Sequence, residues 1–437
     1  MVRWRRRLYD SLQLEPGEGP AVAVALALFY LLFTGYFMLR PVRETMGVAG
    51  GVDNLQWLFT GTFVVTLASL PLFGWLASRV QRRRILAWSY GLFASNLMLF
   101  ALLLGRDPDN LWSARAFYIW LSVFNLLSIS LAWSVMADLF STEQGKRLFG
   151  LLAAGASLGG LSGPLLGAAL VASIGHAGLL ALAALCLVGS MAAAGYLHRW
   201  RARQPLPDGV EHPASRPLGG NPFAGATAVL RSRYLLGIAL FVILLASVST
   251  FLYFEQARIV SETFTDRARQ TQVFGLIDAL VQALAILTQV FFTGRLARRL
   301  GVGVLLVGVP LLMAVGFLWL ALTPVFAAFV VVMVLRRAGE YALVRPGREM
   351  LFTVLPAEQK YKAKNFIDTV VYRGGDALSG WLKRGLDLLG EHPQLAMFIG
   401  ALIALGWGMT GRWLAGTASD REAARRNGSA SAERHSQ

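Results

Sequence analysis

Residues 324–349, PVFAAFVVVMVLRRAGEYALVRPGRE, begin as half of a membrane span and then break the pattern. Val, Phe, Ala, Met and Leu fill the opening run. Arg336, Arg337 and Glu340 follow, roughly 18–24 Å along a helix at 1.5 Å per residue, where hydrocarbon should continue. A charge at the centre of a membrane helix costs roughly 2.5–3.5 kcal/mol on insertion scales, so it faces a partner or a water-filled cavity. Glu340 lies four residues after Arg336 and three after Arg337, so it can neutralise either from one helix face but not both. The surplus cation, with Tyr341 and Arg345 along the Arg337 face, predicts a surface for an anion.

The rest of the chain supports a membrane setting. Of 437 residues, 55% are hydrophobic and 15% charged, against about 25% charge in a soluble domain. Repeated apolar runs of about 20 residues match a hydrocarbon core of about 30 Å. The net charge of +16 sits mostly in short loops, as the positive-inside rule requires, so it does not point to nucleic acid. A lone Cys186 inside an apolar run excludes an intrachain disulfide and a cysteine-based metal site. The run from Ala21 to Leu39 is longer than a signal-peptide core and lacks a cleavage site after it, so it reads as the first span.

About twelve spans follow from the apolar runs: 20–42, 55–78, 85–104, 116–139, 148–172, 178–197, 234–256, 272–294, 302–322, 324–350, 364–388 and 394–415. This is an all-α polytopic membrane protein. Residues 1–197 form an N-terminal six-helix half and 234–415 a C-terminal one. The Pro-, Gly- and Arg-rich stretch 198–233 reads as a cytoplasmic linker, and 416–437 as a disordered cytoplasmic tail. Basic clusters follow the even-numbered spans, which predicts that both termini are cytoplasmic.

The halves repeat each other. Gly74, Leu76, Ala77 and Arg79 after the second span recur as Gly294, Leu296, Ala297 and Arg299 after the eighth. Glu143-Gln144 and Gly159-Gly160 recur as Glu358-Gln359 and Gly374-Gly375. Two parallel six-helix halves joined by a cytoplasmic linker resemble the major facilitator superfamily. The loop with Gly74, Arg79, Arg82 and Arg83 is similar to that family's signature between helices two and three, but Ser78 stands where the family carries Asp. Arg298 and Arg299 belong to the second copy. In the fifth span, Gly150, Gly159, Gly163, Pro164 and Gly167 resemble the family's antiporter motif. Small residues there predict close helix packing and a gate.

A second repeat joins the first and tenth spans. Tyr36, Arg40, Pro41, Arg43 and Glu44 in YFMLRPVRE keep their spacing as Tyr341, Arg345, Pro346, Arg348 and Glu349 in YALVRPGRE. Guanidinium forks bind phosphate or carboxylate bidentately, so the copies read as anion clamps or gates. Arg373 and Asp376, beside Tyr372 in the eleventh span, add a third charged stretch. Asp278 and Glu255 are candidate partners for surplus arginines and, with Glu340, candidate coupling acids. Trp120 and Trp133 read mainly as packing.

YFMLRPVRE, YALVRPGRE and EQKYKAKNFIDTVVYRGGDALSGW (358–381) resemble bacterial relatives of the ATP/ADP translocases. That resemblance implies exchange of an anionic, nucleotide-like solute by a monomer in the bacterial inner membrane. The alternative is a proton-coupled antiporter of drugs or organic ions. No phosphate-binding GxxxxGK[ST], metal-ligand histidine pair or Ser–His–Asp set occurs, so neither a cofactor nor enzymatic chemistry is expected. The expected partners are the bilayer and a small anion.

Overall fold

In hydrocarbon the backbone must satisfy its own N–H and C=O groups, so each apolar run folds as a helix. The computed structural model describes residues 15, 17–79, 82–203, 225–388 and 393–435, with side chains excepted at 73–83, 142, 146, 357–358, 393 and 424–435. The arginine-rich N-terminus and most of the expected linker therefore lie outside the described residues. All regular structure among the described residues is helical.

The first four spans are α1 (Gly19–Ala49), α2 (Leu55–Arg79), α3 (Arg82–Arg106) and α4 (Leu111–Leu139). Spans five and six form one element, α5 (Thr142–Ala202), broken at Gly175 with φ 65° and ψ −178°. The short α6 (Ala226–Arg231) occupies the end of the expected linker, and α7 (Arg233–Thr263) is span seven. Span eight is α8 (Arg267–Thr288), which passes through a π-helical turn, Gln289–Thr293, into α9 (Gly294–Leu322). Gly301 breaks α9 with φ 75° and ψ 179°. Both glycines hold the left-handed backbone that a residue without Cβ adopts at no steric cost, and both stand in loops predicted between spans.

Span ten is α10 (Phe326–Gly339), a π-helical turn Glu340–Val344 and α11 (Arg345–Leu351). Span eleven is α12 (Ala357–Phe366), a π-helical turn Ile367–Val371 and α13 (Tyr372–Leu388). The last helix, α14 (Pro393–His435), continues over residues expected as a disordered tail. Ala, Arg and Glu from Arg421 to Arg426 are good helix formers, and Arg421 lies over the Tyr234 ring at 4.5 Å. Among the described residues, eight helices are long and apolar enough to cross a membrane, two of them counted through the Gly175 and Gly301 breaks. The charged spans ten and eleven complete the set of about twelve.

The chain packs as two compact units. One comprises Met1–Gly51, Ala68–Gly219 and Ser261–Gln282; the other comprises Val52–Leu67, Gly220–Val260 and Ala283–Gln437. The starts of α2 and α8 thus group apart from the remainder of their own sequence halves. In the second unit, Phe59 of α2 packs on Tyr253 and Phe254, and Trp57 packs on Trp381. In the first unit, Thr271 of α8 hydrogen-bonds Thr45 at 2.7 Å and His176 at 2.9 Å.

Glycine sets the packing of the first unit. A Cβ built on Gly155, Gly159, Gly163 or Gly167 would lie 2.6, 2.5, 2.6 or 3.1 Å from the carbonyl oxygen of Leu26, Tyr30, Thr34 or Met38. Four small residues at four-residue spacing on α5 therefore meet four carbonyls at the same spacing on α1, and the two backbones touch. Gly150 is not a rung of this ladder, since nothing lies within 4 Å of its built Cβ. The sequence motif missed Gly155, which replaces it. In the same unit Trp120 stacks on Phe124, and Trp133 packs on Phe29 and Phe149.

Before α1, buried Glu18 accepts hydrogen bonds from Gln144 at 2.8 Å and Arg147 at 3.1 Å. Gln144 also completes a capping box with Ser141 at the start of α5. Burial pushes the Glu18 carboxyl up, but hydrogen bonds from the Glu15 amide, Gln144 and Arg147 outweigh it and hold the carboxyl below its ordinary value of 4.5. A depressed carboxyl stabilises the fold above its unfolded-state pKa and loses that contribution as pH falls through the folded-state value. Glu18→Gln is expected to cost roughly 1–3 kcal/mol at pH 7, with the deficit shrinking towards pH 4 in thermal unfolding. A deficit independent of pH would contradict the charged pairing.

Candidate functional site

Span ten carries its charges where α10 meets a π-helical turn. Arg336 and Arg337 end α10, Glu340 opens the π-helical turn, and all three are buried. Arg336 donates to Glu340 at 3.1 Å and to Ser249 of α7 at 2.6 Å. Glu340 also faces Arg345 at 3.7 Å. Arg336 and Glu340 thus form the i, i+4 pair that the spacing allows. Arg345 lies over Tyr341 at 4.6 Å, and its side chain is 57% exposed.

Span eleven brings its own charges to the same place. Arg373 pairs with Asp376 at 3.5 Å, as the i, i+3 spacing predicts, and its side chain is partly exposed. Tyr372 lies in the electrostatic field of Asp376, Glu340, Arg373 and Arg345, so the two spans share one charged region. Arg348 pairs with Asp368 at 3.0 Å across spans ten and eleven. Reading the sequence assigned no role to Asp368 or Ser249. Counted over 336–376 without the polar loop at 349–364, five arginines meet three carboxylates.

The π-helical turns hold this region in shape. A π turn carries one extra residue and leaves its carbonyls poorly served along the helix, and such turns concentrate at functional sites. Gln289 donates to the Tyr341 carbonyl at 3.1 Å, and Thr293 donates to the Ala342 carbonyl at 2.8 Å. The turn after α8 therefore supplies donors to the turn that presents Glu340 and Tyr341. Neither Gln289 nor Thr293 was singled out by the sequence. Their two polar side chains at the end of an apolar run were the available signal.

The first Tyr-Arg-Pro-Arg-Glu copy lies in the first unit. Arg40 faces buried Asp278 at 3.6 Å. Arg43 pairs with Glu44 at 2.7 Å, donates to Ser122 at 3.2 Å and lies over Tyr118 at 4.9 Å. Tyr36 packs edge-on against Phe37. Asp278 thus partners an arginine, as expected of it, though one in the first span. Glu255 partners Arg258, three residues on. In the signature loops, Gly74 and Arg79 end α2 and Arg82 and Arg83 begin α3, with their side chains outside the described set. Arg298 bonds back to the Gly294 carbonyl, and Arg299 is exposed.

The sequence was also compared with known proteins. Among solved structures, the chain is similar to a bacterial homologue of the human lysosomal transporter Spinster, at 14% identity over 93% of this chain and 98% of that one, with a TM-score of 0.60. It is similar to the nucleoside transporter NupG, at 12% identity over 90% and 98%, with a TM-score of 0.62. A POT family transporter in complex with 5-aminolevulinic acid gives 13% identity over 93% and 99%, with a TM-score of 0.66. At these identities the likeness is one of fold. No curated protein matches the sequence. The family description that matches, Major Facilitator Superfamily, covers residues 22–346. That stretch holds the glycine ladder, both Arg-Pro repeats as far as Pro346 and the buried Arg336–Glu340 pair, and the chain belongs to the major facilitator superfamily.

Proposed function

We propose that this transporter exchanges a small anionic solute, phosphorylated or nucleotide-like, by alternating access. The observation that carries the reading is the excess of five arginines over three carboxylates within residues 336–348 and 365–376, with Arg336 and Arg337 buried. An excess of cationic charge within membrane spans is costly, and a bound anion would supply countercharge. Arg345 and Arg373, both partly exposed, offer planar donor forks to phosphoryl oxygens. Tyr341 and Tyr372 beside them give a base or sugar something to pack on. The resemblance of 358–381 to the ATP/ADP translocases favours the nucleotide end of this range. The same reading places a monomer in a bacterial inner membrane with both termini cytoplasmic, following the basic loops.

The test is counterflow in proteoliposomes. Vesicles loaded with ATP, glucose 6-phosphate or inorganic phosphate should accelerate uptake of the matching labelled solute, and empty vesicles should not. Uptake driven by a pH gradient alone and indifferent to the internal anion would contradict exchange. It would favour a proton-coupled antiporter, with Asp278, Glu255 or Glu340 as the coupling acid.

A further inference from the structure

A cavity lies in the second unit, among the end of α7, the end of α9, the start of α10 and the start of α14, and none of the arginine-rich residues lines it. Its volume is about 350 Å³, inside the range of about 300–1,000 Å³ typical of small-molecule sites. Leu320, Val325, Phe329 and Met397 wall it, and Glu255, Arg258 and Gln394 are the polar residues of the lining. Arg258 is held by Glu255, yet its side chain remains 38% exposed. A guanidinium presents five N–H donors, so pairing with Glu255 and contact with a phosphate are compatible. The flanks are apolar as well: Leu322, Leu395 and Phe398 are exposed beside the lining residues of α9 and α14. In a membrane-spanning chain such exposed apolar side chains suit acyl chains, and the lining lies at the ends of spans seven, nine, ten and twelve, at the depth of lipid headgroups.

We propose that this cavity binds one acyl chain of a membrane phospholipid, with the headgroup phosphate against Arg258. An apolar wall with an arginine at its edge matches an amphiphile that carries an anionic head. A polar solute would leave its own groups unsatisfied against Leu320, Phe329 and Met397. The assignment does not depend on the transported solute, because the cavity's lining shares no residue with the arginine-rich region of 336–348 and 365–376.

The full-length protein, reconstituted with phosphatidylglycerol bearing a photoactivatable acyl chain, gives the test. Peptides containing 320–329 and 394–397 should carry most of the crosslink. Ala321→Trp fills the cavity and should abolish crosslinking there, and Ala321→Leu, a smaller insertion that keeps the fold if the tryptophan does not, should reduce it. Arg258→Gln should lower crosslinking by about tenfold, the loss of one charge-assisted hydrogen bond. Diacylglycerol with the same photoactive chain should label the wild type as weakly as phosphatidylglycerol labels Arg258→Gln. Crosslinks unchanged in folded Ala321→Leu or Ala321→Trp protein, or spread evenly over exposed Leu322 and Phe398, would overturn the site. Equal labelling by diacylglycerol would overturn the role given to Arg258.

Discussion

Gly163→Leu is expected to cost about 3 kcal/mol or more and to stop exchange, while Gly150→Leu, in the same helix, should be near neutral. The built Cβ of Gly163 lies 2.6 Å from the Thr34 carbonyl and 3.0 Å from the Met38 amide, both backbone atoms that cannot swing aside. Any side chain there pushes α5 off α1. Gly150 is exposed, with nothing within 4 Å of its Cβ position. The pair separates contact from composition, since both glycines belong to the same sequence motif. Detergent-solubilised yield, thermal unfolding and exchange rate for the two variants decide it. Wild-type exchange by well-expressed Gly163→Leu protein would mean the ladder is not part of the moving machinery.

Arg336→Ala should damage folding more than Arg337→Ala. It strips buried Glu340 of its 3.1 Å partner, whereas Arg345 lies farther off at 3.7 Å and half in the open. Breaking a buried pair costs about 3–5 kcal/mol because the remaining charge stays desolvated. Removing Glu340 as well relieves that charge, so Arg336→Ala combined with Glu340→Ala should recover much of the loss. Arg337→Ala lowers the positive excess, and its expected effect is on anion affinity. Equal yields for the two single variants, with equal affinity for ATP, would contradict this division of roles.

The membrane fold was legible because its determinants are compositional. Apolar runs of the right length need no tertiary knowledge. Gly175 and Gly301 fall in loops the hydropathy pattern had placed. Local charge pairs were legible too, at i+4 for Arg336–Glu340 and i+3 for Arg373–Asp376. Glu255 was assigned to distant arginines although Arg258 stood three residues away, a pairing that spacing alone favoured. Gly155 escaped notice because a known motif drew attention to Gly150, whereas a strict four-residue period would have found it. Arg348–Asp368 joins two spans and leaves no trace in either helix alone. The π-helical turns were equally hidden, since one extra residue in a helix changes neither composition nor hydropathy.

The central claim is that the arginine excess on spans ten and eleven exists to hold an anion. A ligand that binds only the native state stabilises it by about 2.7 kcal/mol at a hundred times its Kd. Thermal unfolding of the purified protein with ATP, glucose 6-phosphate, inorganic phosphate, citrate and uncharged adenosine therefore tests the claim most directly. The account predicts that at least one phosphorylated anion raises the Tm, that adenosine does not, and that Arg345→Ala combined with Arg373→Ala removes the shift. No shift with any anion, or an equal shift in that double variant, would contradict it.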